Sequence, residues 1–328
     1  MLRRVQNLFA ESKSSGKGAR PVRVGLALGS GVARGWHHIG LLREFDAAGL
    51  KPDVIAGTSI GALVGGFYAA GKLDDLESFA RAMNRGRMLS LLDFSLRGGA
   101  LFSGARLRSR LENHLRGLDI EALPIPFAAV TTEIATGHEV WVSKGSLCRA
   151  MNASYALPGL LEPVAIDDRM LVDGALVNPV PVSVVRAMGA DVVVAVNLVS
   201  DTMFRGTAIG DRQVGEGAAR AIEQKVQREG DASWFGGIKG RLTRRNDAGH
   251  SLAQVMLDAF SITQDRIARS RLAGDPPDVL INARLEQFGL FDFHRAPEMI
   301  ELGREVARRR LPDILEHIEA ARAGALQH

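Results

Sequence analysis

Two short stretches of this chain have the residue types and spacing to do chemistry on a carbonyl group. The first is Gly57-Thr58-Ser59-Ile60-Gly61, which follows an apolar run at 54–56 and opens a small-residue helix pattern ending near Gly71. A serine in G-x-S-x-G sits on a tight turn between a strand and a helix, with its hydroxyl held clear of the sheet. The helix N-terminus behind it favours developing negative charge. The second is Gly29-Ser30-Gly31-Val32-Ala33-Arg34-Gly35, directly after a run of buried-strand character. A dinucleotide site would need glycine where Arg34 stands, and no G-K-[ST] closes a phosphate loop. What remains is a turn presenting backbone N–H groups at a helix start, which also describes an oxyanion hole.

The elements that must position these groups follow from periodicity. Residues 22–28 read as a first strand, and a helix over 36–48 carries Ile39, Leu42, Phe45 and Ala48 on one face. Helices are expected over 73–83 and 104–115, with a loop containing Arg97-Gly98-Gly99 between them. A strand over 126–132 pairs as a hairpin with 139–143, and residues 170–175 lead through a proline-rich turn into a helix over 182–188. The apolar run 191–199 predicts a central strand. A long helix (251–272), a short strand (278–282) and a C-terminal helix (297–320) complete the pattern. Two β-α units in succession bring the Gly-rich loop and the serine turn to one edge of a parallel sheet, where sites form in such folds.

The bulk properties narrow the field. A chain of 328 residues with 46% hydrophobic content holds one large α/β domain or two small ones, and no boundary splits the core. We expect a flexible arm over 1–20, a single domain over 21–320 and an insertion or flap at about 201–248. The net charge of +4 comes with scattered basic residues and only 5% aromatics, which argues against nucleic acid and is compatible with anionic lipid. Trp234 and Phe235 in the insertion suggest a peripheral membrane contact. Cys148 is the single cysteine, so no intramolecular disulfide forms; a reducing compartment and a buried thiol are expected. No targeting signal is visible, so the expected location is cytoplasmic, peripheral at the inner membrane face. The histidines are dispersed, and neither a metal site nor another cofactor is implied. Residues 54–71 carry no charge and could be taken for a membrane span, but they include five glycines and fall short of the roughly 20 residues needed.

Three blocks stand in fixed order: GSGVARG at 29–35, GTSIG at 57–61 and DGA at 173–175, with ASYALPGLLEPV at 153–164 before the third. Together they make the chain resemble the patatin-like phospholipases, in particular the bacterial members related to the neuropathy target esterase. The likeness runs from about Val22 to Val199. It implies a three-layer α/β/α patatin-like sandwich around a mainly parallel sheet, with a Ser–Asp dyad at the sheet's carboxyl edge. Carried over by residue, Ser59 is the nucleophile, Asp173 its base, and Gly29, Ser30, Gly31 and Val32 the oxyanion loop. Arg34, Gly35, Gly57, Gly61 and Gly174 support the motifs. Many relatives have glycine where Val32 stands, and Ser30 replaces another. Valine adopts positive φ only with strain, so a hole that needs that conformation is impaired. The implied substrate is a phospholipid, a lysophospholipid or another acyl ester. The sequence leaves the head group, the acyl chain and the oligomeric state open.

Two other readings compete. The order Ser59, Asp173, His294 matches a Ser–Asp–His triad of an α/β-hydrolase, although Ser59 comes early for that fold and His294 sits in what reads as a helix N-terminal turn. An aspartate base should give a pH limb below that of a histidine. A non-catalytic lipid- or partner-binding scaffold is the alternative from another class. His37 and His38 are read as packing residues.

Overall fold

The computed structural model describes residues 21–84, 86–88, 103–199 and 252–325. The expected arm over 1–20, the loop with Arg97-Gly98-Gly99 and the insertion with Trp234 and Phe235 lie outside these residues. The described strands are β1 (Val24–Leu28), β2 (Val54–Thr58), β3 (Phe127–Glu133), β4 (Glu139–Val142), β5 (Val164–Ile166), β6 (Arg169–Asp173), β7 (Val192–Asn197) and β8 (Val279–Asn282). They form one sheet in which β3-β2-β1-β7-β8 run parallel. The helices are α1 (Trp36–Ala48), α2 (Ile60–Ala69), α3 (Leu73–Arg81), α4 (Ala105–Leu115), α5 (Leu147–Ser154), α6 (Val182–Ala187), α7 (Leu252–Gly274) and α8 (Ala296–Ala325).

Strands buried on both faces read as continuous apolar runs, and β1, β2 and β7 do so. Alternate residues serve two cores. Leu26, Leu28, Ile55 and Val194 face the larger one, packed by α1, α2, α5 and α8. Ala27, Val54, Ala56 and Val193 face the thinner one, closed by α6 and α7. The result is the expected three-layer α/β/α arrangement. Strand β7 is interior, paired with β1 and β8, but it lies one strand from the sheet's end and not at its centre. Its full apolarity comes from cover on both faces, which does not require a central position. The chargeless run at 54–71 is a five-residue strand followed by the ten-residue α2. Among the described residues, no helix is long and apolar enough to cross a membrane.

The pairing around β3 positions the site. Ala129 and Val130 pair with β2 on one side and β4 on the other, and Thr131 and Thr132 pair with β4 and β6. A strand has only two edges, so β4 occupies one while β2 and β6 share the other, approaching from opposite directions. Thr58 pairs with Val130 and Asp173 with the next residue, Thr131. The end of β2 therefore meets the end of β6, and Ser59 follows Thr58 directly.

Candidate active site

Ser59 begins the turn between β2 and α2 with φ 57° and ψ −122°, a conformation that non-glycine residues rarely hold. Surrounding contacts hold it there. Its N–H donates to Ser154 Oγ at 2.9 Å, its carbonyl accepts from the N–H groups of Ala62 and Leu63, and the preceding Thr58 hydroxyl donates to the Asn178 carbonyl at 2.8 Å. Gly61 is required by close approach: a Cβ there would fall 2.1 Å from the Leu28 carbonyl oxygen. The Ser59 side chain, only 5% exposed, donates to Asp173 Oδ2 at 2.7 Å.

Asp173 is buried at the end of β6. Its second carboxylate oxygen accepts from the Ala175 N–H at 2.8 Å, and its main chain is held by Ala156 and Thr132. Gly174 lets the chain turn against β3, since a Cβ would fall 2.2 Å from the Val130 carbonyl oxygen. Burial disfavours the carboxylate and pushes its pKa up to about 7, against the opposing pull of the hydrogen bonds from Ser59 and Ala175. A carboxyl poised near neutrality, touching a serine hydroxyl, can accept its proton and return it.

The Gly-rich loop is divided in its use. The Gly29 N–H donates to the Val196 carbonyl at 3.0 Å and the Ser30 N–H to the Pro179 carbonyl at 2.9 Å. These two donors of the expected oxyanion loop are committed to anchoring it. Gly31 and Val32 make no such internal N–H bond among the described residues. Val32 has φ 52°, so the strained conformation anticipated for it is the one present. The Ser30 hydroxyl is buried and donates to Gln264 Oε1 of α7 at 3.0 Å. Arg34 donates through Nε to the Phe288 carbonyl, and Gly35, at the foot of α1, lies against Ile60. Gly57 packs its backbone on α2.

Ser59 and Val32 both line an apolar cavity of about 160 Å³ whose walls include Trp36, Leu63, Phe79, Leu107 and Leu161. His294 does not line it. It lies in the short turn Phe293–Arg295 before α8, half-buried, while the Ser59–Asp173 contact is direct. Among the described residues, the Asp173 carboxylate accepts hydrogen bonds from Ser59 and Ala175, and none runs to His294. His37 and His38 are fully buried on α1, where desolvation lowers their pKa values to about 3 and about 4. His38 Nε2 bonds the Gly29 carbonyl at 2.8 Å and so braces the loop. Cys148 is buried, and desolvation raises its thiol pKa to about 12, far from a nucleophile's range. Among the described residues, no three His, Cys, Asp or Glu side chains gather to hold a metal ion.

Sequence reasoning missed Ser154, Thr132, Asn178 and Gln264. Ser154 stands within the ASYALPG stretch, but nothing local marks its hydroxyl as a partner of Ser59. Gln264 is one polar residue in the long helix α7, and it carries no local signal at all.

The model of the patatin-like phospholipase family matches residues 26–186, which contain the blocks at 29–35, 57–61 and 173–175. An uncharacterized NTE family protein of Mycobacterium tuberculosis is 31% identical over 335 residues, covering 90% of this chain and 93% of the relative. The lysophospholipase NTE1 of Mycosarcoma maydis is 38% identical over 200 residues, 57% of this chain and 10% of that protein. The patatin-like phospholipase domain-containing protein 7 of Mus musculus is 33% identical over 199 residues, again 57% of this chain and 14% of its own length.

Proposed function

Because the chain belongs to the patatin-like phospholipase family, we propose that it is a lipid acyl hydrolase that cleaves phospholipid or lysophospholipid esters through an acyl-enzyme on Ser59. The observation that carries this reading is the 2.7 Å hydrogen bond from Ser59 Oγ to Asp173 Oδ2 beside an apolar cavity. In the forward step the Ser59 hydroxyl gives its proton to the Asp173 carboxylate as Oγ attacks the ester carbonyl. The Gly31 and Val32 N–H groups are the candidates to receive the oxyanion, aided by the positive end of α2. Collapse of the tetrahedral intermediate expels the alcohol, which takes the proton held by Asp173. Water then enters, and Asp173 removes its proton as the water oxygen attacks the acyl carbonyl. Collapse of the second intermediate releases the fatty acid and Ser59 Oγ, which takes that proton back from Asp173. The cavity's near absence of polar wall suits an acyl chain better than a charged head group.

A panel of diacyl and lysophospholipids, scored for released fatty acid, tests the proposal. Ester cleavage should appear in the wild type and fall more than about a thousandfold in Ser59→Ala, since loss of a covalent step is that severe. His294→Ala should retain activity within a few-fold. A folded His294→Ala protein as inactive as Ser59→Ala would restore the triad.

A further inference from the structure

The segment 154–156 touches both members of the dyad. Ser154 Oγ accepts from the Ser59 N–H at 2.9 Å and donates to the Val130 carbonyl at 2.6 Å. Two residues on, the Ala156 carbonyl accepts from the Asp173 N–H at 3.0 Å. Ser154 is fully buried, so water does not compete for its hydroxyl. Val130, its acceptor, is the β3 residue paired with Thr58, immediately before the one paired with Asp173. A single hydroxyl thus ties the strained serine to the junction where β2 and β6 meet.

The arrangement has a physical purpose. At φ 57° and ψ −122° the Ser59 backbone persists only if its surroundings over-determine it. Relaxation of this turn would swing Oγ away from Asp173, and the Ser59 N–H is the backbone group nearest to that motion. Resting on the reading of Ser59 as nucleophile, we infer that Ser154 is a positioning residue for ester hydrolysis: its hydroxyl fixes the Ser59 backbone so that Oγ stays on Asp173. It does not touch the reacting atoms and does not line the acyl cavity. Its removal should therefore act on kcat and leave substrate binding alone.

The test compares Ser154→Ala, Ser154→Thr and Ser154→Val with wild type. In Ser154→Ala, kcat should fall about ten- to a hundredfold, the scale of a small misplacement of a reacting group, while KM changes less than about twofold. Labelling by a serine-reactive phosphonate should slow by the same factor, and binding of a non-hydrolysable ether phospholipid should be unchanged. Threonine and valine have the same shape and differ in the hydroxyl, so Thr should recover much of the labelling rate and Val should not. Labelling of Ser154→Val as fast as Ser154→Thr, or a Ser154→Ala loss confined to KM, would overturn the inference. Full Ser154→Ala activity would do the same while Ser59→Ala stays inactive, leaving the assignment of Ser59 intact. Persistent hydrolysis by Ser59→Ala would instead overturn that assignment. Melting curves restrict the comparison to temperatures where each variant is folded.

Discussion

Ser59 and Val32 stand on neighbouring loops at one end of the sheet, both with φ above +50° and both lining the same cavity. Such backbone in a non-glycine residue costs on the order of 1–3 kcal/mol, so each must be held by its context. At Ser59 the holding groups converge on the residue itself: Ser154 takes its N–H, Asp173 its hydroxyl, and Gly61 makes room for α2. At Val32 the restraints fall on its neighbours. Gly29, Ser30, Ala33 and Arg34 are anchored to Val196, Pro179, Leu290 and Phe288, and Val32 closes the gap between them.

The difference separates two uses of strain. On the proposed reading Ser59 cannot be glycine, because its side chain is the reactive group and the conformation serves to present it. Val32 supplies an N–H and a patch of apolar wall, and glycine would supply the first without strain. If Ser59 is the nucleophile, the strain there belongs to the mechanism, whereas that at Val32 follows from placing a side chain at a positive-φ position of the Gly-rich loop. The substitutions below probe this distinction.

The largest effect is expected at the partner for which Ser59 is strained. Asp173→Asn removes the proton acceptor while keeping the size, and kcat should fall nearly as far as in Ser59→Ala, with the double variant little worse. The wild-type kcat/KM should rise through an acid limb near pH 7, where Asp173 loses its proton. That limb lies beside the ordinary histidine value of about 6.5, so the expectation that an aspartate limb would fall lower does not hold. The pH profile no longer separates dyad from triad, and His294→Ala must. The same shift has a stability consequence. Asp173 binds its proton more tightly folded than unfolded, so between about pH 4 and 7 stability falls as pH rises, and the deficit is complete above 7. Asp173→Asn should melt higher than wild type at pH 8, with the gap shrinking towards pH 5. A gap that grows on acidification would contradict the buried, raised carboxyl.

Much of this site was legible because its signals are local. The spacing of GTSIG after an apolar run located β2, the Ser59 turn and α2 within a residue or two, since a strand–turn–helix needs only neighbouring residues. The Val32 strain was legible too, as a valine where positive φ was suspected. The convergence of β2 and β6 on one edge of β3 was not, because register is set by pairing between segments distant in sequence, Thr58 with Val130 and Thr131 with Asp173. Nor was the loss of Gly29 and Ser30 as free donors. Their acceptors, Val196 and Pro179, come from strand and turn positions that only the assembled sheet brings near. The bracing by Ser154 and Gln264 belongs to the same long-range class.

A smaller effect is expected from removing the Val32 donor. Val32→Pro deletes the N–H and forces φ near −65°, so if this group receives the oxyanion, kcat should fall about a hundred- to a thousandfold. Phosphonate labelling at matched fold, judged by the melting curve, checks it. A folded Val32→Pro protein with near-wild-type labelling would mean that the oxyanion is held elsewhere and that the loop's strain has no part in the reaction.

The smallest effect should come from Val32→Gly, and it is the sharpest probe of the comparison. Glycine occupies positive φ without steric penalty and keeps the N–H, which removes strain of about 1–3 kcal/mol. Against this stand the lost side chain, half-buried on the cavity wall, and the greater freedom of glycine in the unfolded chain, worth roughly 0.5–1 kcal/mol. The contributions oppose one another, so the melting temperature should move by no more than a few degrees in either direction. Activity should stay within about threefold, with any change carried by KM for long-chain substrates, because only the apolar wall is altered. The matching change at the other loop, Ser59→Gly, also relieves positive φ yet should be inactive. If Val32→Gly instead lost activity in kcat while remaining folded, the valine would be shaping the oxyanion loop itself, and the strain at Val32 would belong to the mechanism as much as that at Ser59.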